Sequence, residues 1–156
     1  WQRTVSRDDK ACGFESFEIV DAQGNVCRTV QAGVQIRVLL KFLVARRIRG
    51  LQLSLQLLDE FGDVVLETCL SDTEDASIED PGSYTAVLNL PPELLLPRQY
   101  GVCCMLWCPP GQKLDSIEDV TFSVDDGPAI GPAHATARRP GLIGVRLPWS
   151  LKKESK

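Results

Sequence analysis

The only histidine in the chain, His134, sits in the stretch Gly131-Pro132-Ala133-His134-Ala135. A Ser-His-Asp or Cys-His arrangement would therefore hang on one residue of a segment with no periodic structure. The six cysteines, Cys12, Cys27, Cys69, Cys103, Cys104 and Cys108, contain no Cys-x-x-Cys pair. Tetrahedral zinc needs four close ligands, so a zinc site is not expected. Cys103 and Cys104 are neighbours on a predicted strand and point to opposite faces, which speaks against a disulfide framework. Free thiols packed as small hydrophobes in a reducing compartment are the expected state. Asp59, Glu60, Asp115, Glu118 and Asp119 are the acids that a glycoside-cleaving carboxylate pair would draw on, although such acids ordinarily cap turns. The acidic run Ser71 to Pro81 lacks the alternate ligand spacing, the glycine and the terminal glutamate of a calcium loop. With no GxxxxGK[ST] loop for phosphates either, this chain is expected to be non-catalytic and to carry no cofactor or metal.

What remains is surface chemistry. Arg37 and Lys41 alternate with Val34, Ile36, Val38, Leu40, Phe42 and Val44, so they lie on the outer side of a strand that buries its other face. Gln52, Ser54 and Gln56 alternate in the same way with Leu51, Leu53, Leu55 and Leu57. Gln99, Met105 and Trp107 do so with Tyr100, Val102, Cys104 and Leu106. A row of amides, hydroxyls and cations beside one indole suits a sugar, whose hydroxyls bond polar groups while its apolar ring face stacks on tryptophan. Arg37, Lys41, Gln52, Gln56, Gln99 and Trp107 are the candidate carbohydrate-binding residues. Against this stands the plain fact that the outer face of any half-buried sheet is polar.

The strands that would position these residues run nearly the length of the chain. The stretch Gly33 to Leu70 reads as two long half-buried strands joined by the basic turn Arg46 to Gly50, with a third returning through Asp59-Glu60-Phe61-Gly62. These three are expected to form the centre of one antiparallel sheet. Before them, Phe14, Phe17, Ile19 and Val20 form a strand that ends in the turn Asp21 to Asn25, and Val26 to Val30 returns, giving a meander of five strands. After them come strands at Ser83 to Leu90, Gln99 to Trp107 and Ile117 to Val124. A long aperiodic linker from Asp125 leads to a last isolated strand, Leu142 to Trp149. That many short strands, with no helical periodicity, predicts an all-β, antiparallel β-sandwich with immunoglobulin-like topology. Residues 1–13 read as a linker from a preceding domain, 14–149 as the sandwich and 150–156 as a polar tail. A strand reached through so long a linker can fold back on its own sheet or reach a neighbour.

At 156 residues the chain is large enough for one core without disulfide staples. Its apolar runs are too interrupted to span a bilayer as helices. A net charge of -4 and a pI near 5.0 argue against nucleic acid as a partner, because phosphate binding draws on clustered Lys and Arg. The clusters present, Arg46 to Arg49, Arg138-Arg139 and Lys152-Lys153, are short and read as solvated turns and tail.

The order of motifs carries a resemblance. Asp21-x-x-Gly24, Gly33 before a long alternating strand, Leu57-Leu58-Asp59-Glu60-Phe61-Gly62, Pro92-x-Leu94-Leu95-Leu96-Pro97-x-x-Tyr100, Phe122-x-Val124 and a terminal Pro148-Trp149 follow one another. This series resembles the C-terminal carbohydrate-binding domain of the ATP-binding subunits of bacterial O-antigen polysaccharide ABC exporters, the Wzt family. The chain departs from that pattern at Arg98-Gln99, where a glycine is usual before the tyrosine, and in its six cysteines. The resemblance implies a cytoplasmic domain at the inner face of the bacterial inner membrane that binds the end of a lipid-linked polysaccharide and couples it to export. It further implies a homodimer formed by exchange of the last strand through Leu142, Ile143, Val145, Leu147 and Trp149. An ATPase domain would precede Trp1, and the transporter's ATPase and membrane subunits would be partners. The alternative is a β-sandwich that binds another protein and no glycan.

Overall fold

The structure, a computed structural model, describes residues 1–2, 10–72, 77–92 and 94–126. Eight strands occur there: β1 (Cys12–Val20), β2 (Thr29–Gln31), β3 (Ile36–Val44), β4 (Gln52–Leu58), β5 (Val64–Cys69), β6 (Gly82–Leu90), β7 (Gln99–Cys108) and β8 (Gln112–Asp125). They form two packed sheets, a three-stranded one in the order β1-β3-β6 and a five-stranded one in the order β2-β8-β7-β4-β5. The protein is thus a β-sandwich, as its alternating strands predict. The expected last strand, Leu142 to Trp149, lies outside the described residues.

One core fills the space between the sheets. From the three-stranded sheet, Ile36, Val38, Leu40, Phe42 and Val44 of β3 point inward between Phe14, Phe17 and Ile19 of β1 and Tyr84, Ala86, Leu88 and Leu90 of β6. Phe14, Phe42 and Tyr84 form a cross-strand aromatic row. Phe14 meets Phe42 edge-on at 6.3 Å, and Phe42 stacks on Tyr84 at 5.3 Å. Phe14 and Phe17, three apart, both face the core because β1 carries a bulge between Phe14 and Ser16, and one extra residue restores the alternation. The five-stranded sheet contributes Leu53, Leu55 and Leu57, then Tyr100, Val102, Cys104 and Leu106, then Ile117, Phe122 and Val124. Tyr100 stacks on Phe122 at 5.7 Å, and its hydroxyl donates to the Leu96 carbonyl at 2.9 Å. The buried tyrosine is thereby satisfied.

The expected central sheet is not formed. β3 and β4 do not pair: β3 lies between β1 and β6, and β4 between β7 and β5. The reason is the connection. Seven residues, 45–51, separate the two strands, enough to cross the roughly 10 Å between packed sheets and more than the two- to five-residue loop of a hairpin. Gly50 turns the chain at φ 70°, and Leu51 is buried. The basic crossover is held by its own chain's acidic loop: Glu79 accepts from Ile48 N at 2.9 Å and, through Oε1, from Gly50 N at 2.7 Å, while Asp80 pairs with Arg47 at 3.4 Å. The five-strand meander likewise gives way to crossings. Val26 makes only an isolated bridge to Val20, and β2 runs parallel to β8. β4 and β5 do form the expected hairpin, around Asp59.

At the end of the sandwich that carries the crossover, Asp115 of β8 is 7% exposed and joins the sheets. Its carboxylate accepts from the Phe14 backbone N–H at 2.8 Å and from Lys10 Nζ at 3.0 Å. Strand β1 therefore begins at Cys12, and Gln2 bridges to Ser16 at its edge, within the stretch read as linker.

Candidate functional site

Splitting β3 from β4 divides the candidate residues between opposite outer faces. Arg37 and Lys41 lie on the three-stranded sheet, facing away from the core. Lys41 is exposed, opposite Ser16 and Thr85. Arg37 is half-buried and donates to the Asp21 carbonyl at 3.2 Å, so it braces the Asp21 turn. That turn is itself closed by Asp21 Oδ1, which accepts from Gln23 N and Asn25 N. The Asn25 side-chain and backbone bonds hold the Asp21 carboxyl below its ordinary 3.8.

Gln52, Gln56, Gln99 and Trp107 share the outer face of the five-stranded sheet, with Gln52 and Trp107 adjacent and Gln99 apart from them. Gln52 is directly opposite Trp107, Ser54 opposite Met105, and Gln56 opposite Cys103. On the other side of β4, Cys69 stands opposite Ser54 and Glu67 opposite Gln56. Lys113, Ser116, Thr121 and Ser123 continue the same rows onto β8. Directly opposed side chains in such a sheet have Cβ atoms about 5 Å apart, so Gln52 and Trp107 form one contact surface. Gln99 is eight residues from Trp107, roughly 26 Å along β7, and marks the far end of the face beside Arg98, Ser123 and Asp125. Gly101 flattens the strip between: a side chain there would meet Leu58 Cβ at 3.3 Å.

Lys113 Nζ bonds Glu118 Oε1 at 3.0 Å and Ser116 donates to the same oxygen at 2.9 Å. These two bonds, the lysine's first, lower the Glu118 pKa. Three of the five acids considered for hydrolysis hold structural contacts. Asp115 ties β8 to β1, Asp59 Oδ1 caps the β4–β5 turn through Phe61 N and Asp63 N, and Glu118 holds Lys113 and Ser116. All six cysteines are free thiols. Burial pushes the Cys104 thiol far up, and it raises Cys103 as well. Among the described residues, no three His, Cys, Asp or Glu side chains converge as metal ligands, and no helix is long and apolar enough to cross a membrane.

Two features escaped the sequence. Phe61 is 83% exposed at the tip of the β4–β5 hairpin, held there by the Asp59 cap and by Gly62 at φ 86°. The Asp-x-Phe-Gly-Asp spelling of that turn is the signal that could have found it. The second is a mainly apolar slot of about 90 Å³, lined by Leu40, Leu53, Leu55, Ala86 and Leu88 and also bordered by Ser54 and Thr68, where the sheets part between β6 and the β4–β5 hairpin. β5 and β6 each have one hydrogen-bonded strand neighbour among the described residues.

This fold has known counterparts. The chain is similar to the C-terminal domain of Wzt with a TM-score of 0.72 and 12% identity, covering 92% of this chain and 86% of that one. It is also similar to a Niemann-Pick type C2 protein from Japanese carpenter ant, with a TM-score of 0.49, 12% identity, and coverage of 76% of this chain and 94% of that one. A Bifidobacterium dentium β-glucuronidase matches 74% of this chain with 18% of its own length, at 17% identity and a TM-score of 0.44. No family model and no curated protein matches the sequence. The fold is that of the Wzt C-terminal domain, the one the order of sequence motifs implies.

Proposed function

We propose that this chain is a non-catalytic carbohydrate-binding domain of a polysaccharide ABC exporter. It recognises the end of a lipid-linked O-antigen-type glycan at the cytoplasmic face of the bacterial inner membrane and couples it to export. The observation that carries this reading is the outer face of the five-stranded sheet, where Gln52 stands opposite Trp107 and Gln56 follows on the same strand face. Amides that bond hydroxyls lie beside an indole that stacks on a pyranose, on a fold shared with the C-terminal domain of Wzt. Arg37 and Lys41, on the opposite sheet, stand outside this face. The domain works as a homodimer through exchange of Leu142 to Trp149, in contact with the transporter's ATPase and membrane subunits.

Titration of the protein with the soluble polysaccharide of its source organism, and with an unrelated one, tests this by tryptophan fluorescence and NMR. Binding of the first alone is expected. Trp107→Ala should weaken it roughly 10-fold or more, as loss of about 1.4 kcal/mol or more requires, with an unchanged fold. Equal binding by Trp107→Ala would remove this face from the site. A second reading, a protein-binding module without glycan affinity, has Phe61 in its favour, an aromatic held out in solvent on a braced turn. It gains if no polysaccharide elicits a response.

A further inference from the structure

The hydroxyl of Ser54 is out of place. Ser54 lies in the middle of β4, on the outer face between Gln52 and Gln56, yet it is 1% exposed. Its Oγ has no hydrogen-bond partner among the described residues. Buried hydroxyls are almost always bonded, and leaving one unpaired costs folding free energy that alanine would not cost. A serine held at a loss in the centre of a sheet points to a partner present only part of the time.

The surroundings say what that partner is. Cross-strand register places Met105 on one side of Ser54 and Cys69 on the other, neither able to give a strong hydrogen bond. Met105 is the only methionine of the chain, half-buried, with an unbranched side chain that can re-rotate without disturbing a strand. Flanking the hydroxyl along β4, about 7 Å away on each side, are the amides of Gln52 and Gln56. Trp107 is diagonal to it. A ligand that presents several hydroxyls in a row and an apolar ring face matches this set.

We infer that Ser54 is a ligand-reading residue beneath a movable Met105. When a saccharide lies across Gln52 and Gln56, Met105 swings aside and the Ser54 hydroxyl takes a sugar hydroxyl as its partner. The inference rests on the carbohydrate-binding reading and gives it a specificity determinant at the centre of the face.

Ser54→Ala tests it, because stability and affinity should move in opposite directions. In the full chain, the variant should melt a few degrees higher, since an unpaired buried hydroxyl is gone. It should bind the source organism's soluble polysaccharide roughly 3- to 10-fold more weakly, the loss of one hydrogen bond. Gln52→Ala serves as the reference for the face. If Ser54→Ala melts higher and binds as wild type does while Gln52→Ala binds weakly, the face stands and the role of Ser54 is overturned. A lower melting point for Ser54→Ala would also overturn it, by showing that the hydroxyl is bonded within the fold. If wild type itself does not respond, the carbohydrate reading fails and this inference falls with it.

Discussion

Burial at single residues gives this protein an alkaline limit. The Cys12 thiol is pushed from 9.0 up to about 11, first by desolvation and then by the neighbouring Asp115 carboxylate and Cys108. Cys104 and Tyr100 are raised too, each chiefly by burial. A group whose folded pKa lies above its unfolded one favours the folded state fully below the unfolded value. That contribution shrinks as pH rises toward the folded value, because the unfolded chain loses the proton first. Stability should therefore be level near neutrality and fall between pH 9 and 11, with Cys12→Ser and Cys104→Ala each flattening the slope. Melting curves from pH 7 to 11 check this. A level melting point up to pH 11 would show that these thiols are more hydrated than their burial implies. Asp115 shows the converse use of burial: a carboxylate out of water is satisfied by a backbone N–H and a lysine, and the pairing fixes where β1 begins.

Elements were legible where the period of two sufficed. Alternation identified the inward sets of β3, β4, β6 and β7, and the burial of Phe42, Leu57, Tyr100, Cys104 and Leu106 follows it. It could not say which sheet a strand joins, since the period is the same in either, and so the Arg46 to Gly50 turn was read as joining partners when it crosses the sandwich. The crossover's geometry is testable at Gly50, which sits at φ 70° with its N–H on Glu79. An added Cβ would meet Pro109 Cδ at 3.6 Å, an ordinary contact, so space does not forbid alanine. Conformation does: a left-handed alanine costs about 1–2 kcal/mol. Gly50→Ala should lower the unfolding free energy by that amount, read as a lower urea midpoint with an unchanged m-value; no change would mean that the crossover relaxes freely. Which candidate residues share a face was half legible for the same reason. Gln52, Gln56, Gln99 and Trp107 share a face because β4 and β7 are paired, while Arg37 and Lys41 were assigned there through a pairing that does not exist. Ser54 was read as outward, which is right, but its burial depends on cross-strand neighbours that alternation does not reveal.

At the scale of the sheets, the sandwich is unevenly closed among the described residues. The core is dense through β1, β3, β7 and β8, but along β6 the inward side chains Tyr84, Ala86 and Leu88 are only half-buried, and the apolar slot opens beside them. Val87 on β6 and Val64 on β5 are exposed on the two strands that bound this side. Open edges beside an apolar gap are a liability for pairing with other chains, and proteins cover them. The exchanged strand of the proposed dimer has the composition for that task. Leu142, Ile143, Val145, Leu147 and Trp149 are apolar in a segment otherwise small, polar or basic. The expectation is that deleting residues 142–156 turns a dimer into a monomer in analytical sedimentation and leaves the slot open to an apolar dye. Affinity for a polysaccharide with one terminus per chain should fall less than avidity on a surface coated with it, because a monomer loses the second site and keeps the first. A truncated chain that remains dimeric would move the interface elsewhere, with Phe61 as the next residue to change. A monomeric chain with residues 142–156 intact would overturn the exchanged-strand dimer.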